Sequence, residues 1–131
     1  MSFIEFKNVC KRYPGSDKNT VDNFTLDIEK KEFIAFVGPS GCGKSTTLRM
    51  IAGFEEITGG ELYIDGKKMN EVAPRDRGIS MVFQNYALYP HMTVEKNIGY
   101  GLKNMKMPKD QIKQKVDWAI KILGLEEYRY R

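Results

Sequence analysis

The chain has 131 residues, 41% of them hydrophobic and 29% charged, with a formal net charge of +4. That length suits one domain with a modest core, and the composition is that of an ordinary soluble protein. It excludes a bilayer-spanning segment, a secretory leader and, with only Cys10 and Cys42, a disulfide framework, so the cytoplasm is the expected compartment.

Of 21 lysines and arginines, 8 fall in residues 103–131, against 4 of the 17 acidic residues, so the whole positive excess lies at that end. Clustered arginines with interleaved aromatics are absent there, which argues for a solvated basic helix face and against a nucleic-acid partner.

In chain order, residues 3–9 alternate loosely and predict a first strand. Tyr13-Pro14-Gly15-Ser16 predicts a turn. Residues 21–28 predict a second strand with Phe24, Leu26 and Ile28 on one face. The wholly apolar run Phe33-Ile34-Ala35-Phe36-Val37 predicts a buried core strand.

After it comes Gly38-Pro39-Ser40-Gly41-Cys42-Gly43-Lys44-Ser45-Thr46, which matches G-x-x-x-x-G-K-[ST] between a strand and a helical pattern. Glycines 38, 41 and 43 allow successive N–H groups to turn inward as an anion nest. A helix N-terminus behind them adds about half a positive charge. Lys44 can reach the β- and γ-phosphates, and the Ser45 hydroxyl suits Mg²⁺. The expected ligand is the phosphate chain of a nucleotide.

A helix over 44–52 is expected to bury Leu48, Ile51 and Ala52 and to end at Gly53. Residues 61–64 predict a strand, Asp65-Gly66 a hairpin turn, 74–78 a charged loop and 79–83 another apolar strand. Thr93 predicts a helix N-cap with Glu95 in the first turn, for a helix to about Lys103. Pro108 opens a second helix in which Ile112, Val116, Ile120 and Leu123 recur, closed by Gly124. The order of elements predicts an α/β core with a small antiparallel sheet, then the start of a helical region.

Other residues carry chemistry with alternatives left open. Tyr13 could stack on a nucleobase or simply belong to a turn. Gln84, at the end of the 79–83 run, could hold Mg²⁺ or orient water, or be a loop glutamine. The apolar cluster of Tyr86, Ala87, Leu88, Tyr89 and Pro90 is either tucked core or an exposed docking patch. His91 is the one histidine and makes no metal site alone. Asn-Lys-x-Asp and Asp-x-x-Gly are absent, which argues against a GTPase.

Gly38 to Ser45, Tyr13, and the run Met81-Val82-Phe83-Gln84-Asn85-Tyr86-Ala87-Leu88-Tyr89-Pro90-His91-Met92-Thr93-Val94 together resemble the N-terminal part of an ABC transporter ATPase. The carbohydrate-import (maltose or multiple-sugar) branch is nearest. The resemblance implies an incomplete P-loop NTPase core with an attached antiparallel β subdomain and the start of a helical subdomain. It would divide at about 92, into a core over 1–92 and a helical part over 93–131.

It implies that Tyr13 stacks on adenine and that Gly38, Pro39, Ser40, Gly41, Cys42, Gly43, Lys44, Ser45 and Thr46 form the Walker A loop for ATP. Gln84 would be the Q-loop glutamine near Mg²⁺ and the attacking water. Residues 85–92 would face transmembrane permease subunits, with the full-length protein a homodimer on the inner face of the cell membrane. The family's signature, its Asp-Glu strand end and its switch histidine do not occur in these 131 residues. The expectation is therefore an N-terminal fragment that binds Mg-ATP with little or no turnover. The alternatives are a complete non-catalytic nucleotide-binding module, or an ABC ATPase outside transport.

Overall fold

A computed structural model describes residues 2–131. The chain forms two compact units, one ending at Met81 and the other spanning Val82–Arg131.

The first unit is built on a four-stranded sheet in the order β2-β1-β3-β4, every pair antiparallel. Strand β1 (Ser2–Lys11) lies between β2 (Val21–Glu29) and β3 (Gly59–Ile64), and β3 pairs with the short β4 (Lys67–Lys68). The Asp65-Gly66 turn has positive φ at both residues, 51° and 78°, as a two-residue hairpin of this hand requires.

Phe6, Val9, Val21, Ile28, Leu62 and Ile64 share one core with Met50 and Met69. Alternation puts Leu62 and Ile64 on one face, and irregularities in β1 and β2, with positive φ at Asn8 (52°) and Asn23 (49°), bring Phe6 and Val9, and Val21 and Ile28, to the same side. Phe6 is fully buried, with its ring 5.0 Å from that of Phe24, edge to face. Each such side chain contributes roughly 1.5–3 kcal/mol on burial. Gly60 sits where a Cβ would lie 2.2 Å from the Asn8 carbonyl oxygen, so β3 can press on β1 only with glycine there.

Helix α1 (Lys44–Ala52) has the predicted bounds and ends at Gly53, φ 91°, whose N–H donates to Arg49 O. Its buried face differs from the prediction. Thr46, Thr47, Met50 and Ala52 are buried, Ile51 is half-buried and Leu48 is exposed. Contacts to Tyr13 and to the sheet core select the face through Thr46 and Met50, and a hydrophobicity pattern does not register a buried threonine.

The apolar run over 33–37 is not a strand. Ile34 packs against the core and the Phe36 ring lies 6.1 Å from that of Phe24, while Phe33 and Val37 are 93% and 92% exposed. The alternation of a strand persists, but among the described residues no strand pairs with it. An apolar run states a demand for burial; meeting it on both faces takes neighbours that the four-stranded sheet does not supply. The run over 79–83 likewise forms no strand, with Ile79 against the core and Val82 exposed.

The loop over 74–78 hides a structural element. Arg77 is buried, and its guanidinium donates to the carbonyls of Met50 (2.8 Å), Ile51 (3.3 Å), Met69 (2.7 Å) and Val72 (2.9 Å). It closes the C-terminal end of α1, where carbonyls lack helical partners and a positive charge is favoured.

The second unit holds α2 (Val94–Asn104) and α3 (Lys109–Leu123). Thr93 caps α2, its hydroxyl accepting from Lys96 N–H, and Gly124 closes α3 with φ 65°. Val116 and Ile120 are the buried residues of α3, Ile112 is half-buried, and Leu123 is exposed. Arg129 ties the unit together through Glu95 (2.7 Å) and Asp117 (2.6 Å). Lys113, one helical turn before Asp117, adds a 2.8 Å pair.

Hydrogen bonds from Lys113 and then Arg129 hold the Asp117 carboxyl below its ordinary value of 3.8. A carboxylate whose pKa is depressed by folding stabilises the unit above the ordinary value and loses that effect as pH falls through the depressed one. Asp117→Asn is thus expected to lower the thermal midpoint of the unit at pH 7 and to lower it by less at about pH 3. Melting followed by far-ultraviolet circular dichroism at the two pH values checks this; an equal deficit at both would contradict it.

Candidate functional site

The loop over 38–43 leaves the 33–37 segment and delivers the chain to α1. Gly41 and Gly43 take φ of 81° and 96°, the left-handed region that glycine enters without strain. At Gly43 glycine is required twice over, because a Cβ would lie 2.9 Å from the Thr20 carbonyl oxygen. Gly43 is the N-cap of α1, and no side chain caps the helix there. The first N–H groups of α1 therefore have neither a helical acceptor nor a side-chain one.

Lys44 reaches back along the loop, its ammonium donating to the carbonyls of Gly38 and Pro39, the latter at 3.0 Å. The loop is braced by Cys42 N–H on Pro39 O (3.3 Å) and by Thr47, whose N–H and hydroxyl both donate to Gly43 O. The Cys42 thiol folds over Gly38, where a Cβ would lie 2.7 Å from its sulfur. Ser45 is exposed on the first turn of α1, beside these amides.

These residues suit a polyphosphate: unpartnered amides at a helix N-terminus, an ammonium within the loop and glycines where a Cβ would collide. Among the described residues no group of three histidines, cysteines, aspartates or glutamates could hold a metal ion. A divalent cation at this loop would thus take its oxygens chiefly from the phosphates, with Ser45 as the adjacent protein hydroxyl.

Tyr13 belongs to the same unit and the structure brings it to α1. Its hydroxyl lies 3.1 Å from Thr46 Oγ1, one residue past Ser45. The ring is half-buried, and the Lys11 ammonium sits 5.0 Å from its centroid. Lys11 and Glu55, which pair at 3.3 Å beside this ring, carried no signal in the sequence beyond two ordinary charges.

Gln84 lies in the second unit, exposed in a turn at the head of the 85–92 segment. Tyr86 and Leu88 in that segment are 74% and 73% exposed, so the apolar cluster is not tucked core. Tyr86 and Ala87 both take positive φ, 63° and 47°, conformations that non-glycine residues hold only under constraint. Asn97 on α2 supplies constraint next to them. Its side chain accepts from Tyr89 N–H (2.9 Å) and donates to the carbonyls of Tyr89, Met92 and Thr93. His91 is exposed, its ring 6.1 Å from that of Tyr89. A cavity of about 590 Å³ opens in this unit, lined by His91 and Met92 at the end of the 85–92 segment and by Lys96, Lys103, Lys113 and Val116 among others; none of Tyr13, Gly38 to Thr46 or Gln84 lines it.

Fold and loop together define an α/β P-loop NTPase of the ATP-binding-cassette type. The chain belongs to the ABC transporter family, whose model matches residues 21–131. It is 61% identical over 131 residues to the oligosaccharides import ATP-binding protein MsmX of Bacillus subtilis, covering 100% of this chain and 36% of that protein. It is 56% identical over 128 residues to the multiple sugar-binding transport ATP-binding protein MsmK of Streptococcus mutans, covering 98% of this chain and 34% of that one. It is similar, with a TM-score of 0.82 and 31% identity, to a dimeric ATP-binding cassette solved in a post-hydrolysis state with ADP and Pi, covering 98% of this chain and 61% of that chain. The chain spans about a third of the length of the curated relatives it matches.

Proposed function

We propose that this chain is the ATP-binding portion of an importer's ATPase subunit, and that the transported solute is a sugar. The observation that carries the reading is the phosphate loop itself: glycines in left-handed turns, an uncapped α1 N-terminus and Lys44 folded along the loop. The names of MsmX and MsmK support importer and sugar.

In this reading Gly38 to Thr46 wrap the phosphates, with backbone N–H groups as donors and Lys44 on the β- and γ-oxygens. Ser45 gives its hydroxyl to Mg²⁺ and Tyr13 stacks on the adenine. Gln84 is the glutamine assigned to Mg²⁺ and the attacking water. Residues 85–92, with exposed Tyr86 and Leu88, contact the transmembrane permease subunits, and the complete subunit works as a homodimer at the inner face of the membrane. Among the described residues no helix is long and apolar enough to cross a membrane. Bound Mg²⁺ supplies charge neutralisation on the phosphates; hydrolysis is assigned to the full-length protein. The 131 residues alone bind Mg-ATP with negligible turnover, since each missing water-activating or charge-stabilising group lowers rates by roughly 10²-fold.

Cys42 offers a direct test, because its thiol is exposed within the loop while Cys10 is half-buried in the sheet. Saturating Mg-ATP is expected to slow maleimide alkylation of Cys42 at least tenfold and to leave Cys10 unchanged, as read by peptide mass spectrometry. Alkylation of Cys42 at the same rate with and without Mg-ATP would overturn the reading.

A further inference from the structure

Lysine is among the residues least often buried, and where it is buried it has a partner. The Lys11 side chain is 8% exposed. It is the last residue of β1, paired with Val21 of β2, and its carbonyl accepts from Thr20 N–H at 2.7 Å. That bond closes the loop carrying Tyr13. The same Thr20 presents its carbonyl oxygen against Gly43, so this loop and the phosphate loop are packed backbone to backbone.

Within that junction the Lys11 ammonium has two neighbours. Glu55 Oε2, a buried oxygen, lies 3.3 Å away, and the Tyr13 ring centroid 5.0 Å away. The other end of Tyr13 is held too, its hydroxyl 3.1 Å from Thr46 Oγ1 on α1. The ring is thus fixed at both ends: at its face by an ammonium that Glu55 anchors, and at its hydroxyl by the helix that begins the phosphate site. An ion pair serving only to fill space here would be poorly chosen, since apolar side chains of similar volume do so at no desolvation cost.

We propose that Lys11 is a positioning residue for nucleobase binding. Its buried ammonium holds one face of Tyr13, so that the ring is presented, already oriented, to the purine of a nucleotide whose phosphates lie on the loop over 38–46. The inference rests on the reading of Tyr13 as the adenine platform. A cation over one ring face also draws π density from the opposite face, which favours stacking with an electron-rich purine. Lys11 itself touches no nucleotide in this scheme and leaves phosphate binding alone.

The test compares Mg-ATP with Mg-tripolyphosphate, which has the phosphates and no base, by calorimetric titration of the 131-residue chain. Lys11→Met is expected to weaken Mg-ATP roughly tenfold and tripolyphosphate less than twofold. Lys11→Met/Glu55→Gln, which leaves no uncompensated buried charge, is expected to fold as the wild type does and to show the same selective loss. Lys11→Arg should keep most of the affinity. Added to Tyr13→Leu, Lys11→Met should weaken Mg-ATP no further, because both act through one ring.

Equal losses for the two ligands, or unchanged Mg-ATP affinity in both Lys11 variants, would overturn the role of Lys11 while Tyr13→Leu still reports on the platform. Mg-ATP bound equally well by Tyr13→Leu and wild type would overturn the platform reading instead. A wild-type chain that binds neither ligand would overturn both.

Discussion

Replacing Arg77 with alanine is expected to destabilise the first unit by about 3–5 kcal/mol, a large share of the roughly 5–15 kcal/mol that holds a domain of ordinary size. The guanidinium donates to four carbonyls drawn from α1, from the residue after β4 and from Val72. Alanine would leave those oxygens without the guanidinium donors, and each orphaned group costs about 1–3 kcal/mol. Burial pushes the Arg77 pKa down, yet at neutral pH the side chain stays charged, as the end of a helix favours. Room is tight as well, since a Cβ on Gly53 would lie 2.7 Å from Arg77 Nε. Lysine should not rescue, because one ammonium cannot span acceptors arranged for a planar fork. Urea unfolding followed by circular dichroism measures the effect; a stability change of less than 1 kcal/mol in Arg77→Ala would show that these hydrogen bonds are not what holds α1 to the sheet.

That residue also marks where reading the sequence stops. Helix ends were legible because their causes are local: Thr93 accepts from an amide three residues on, and Gly53 and Gly124 take left-handed φ within their own turns. The hairpin at Asp65-Gly66 was legible for the same reason. The glycine loop leading into α1 was legible because Gly38, Gly41, Gly43, Lys44 and Ser45 lie within eight residues and the loop closes on itself. Arg77 read as part of a charged loop, since its acceptors lie as many as 27 residues away. Lys11 and Glu55 are 44 residues apart, and nothing in either neighbourhood announces the pair.

The opposite error occurred at 33–37 and 79–83. There the composition speaks for burial, but a strand is made by its neighbours, and the sheet pairs only β1 to β4. In α1 the threonines at 46 and 47 are buried while Leu48, which the apolar pattern assigned to the interior, is exposed; Ile51 packs against the core as expected. Thr46 is held inside through the Tyr13 hydroxyl and Thr47 through Gly43 O. In each case a hydrogen bond outside the reach of periodicity decided the outcome.

Lys44→Ala carries the largest expected effect on ligand binding. Lys44 is the charged side chain of the loop motif, and its ammonium donates to the carbonyls of Gly38 and Pro39. Phosphate oxygens would take over from those carbonyls, exchanging neutral acceptors for charged ones, and charge-assisted bonds of this kind are worth about 1.5–3 kcal/mol each. The substitution should weaken Mg-ATP by roughly 10- to 100-fold. It should leave the fold intact, because the loop keeps its Cys42–Pro39 and Thr47–Gly43 bonds.

The measurement that bears most directly on the account is a calorimetric titration of the chain with Mg-ATP beside its Lys44→Ala variant. Saturable binding by the wild type, lost or weakened at least tenfold in the variant, is the predicted result: it would mean that the phosphate loop is formed by these residues and binds through Lys44. Equal binding by both proteins, or none by the wild type, would contradict the assignment of nucleotide binding to this chain.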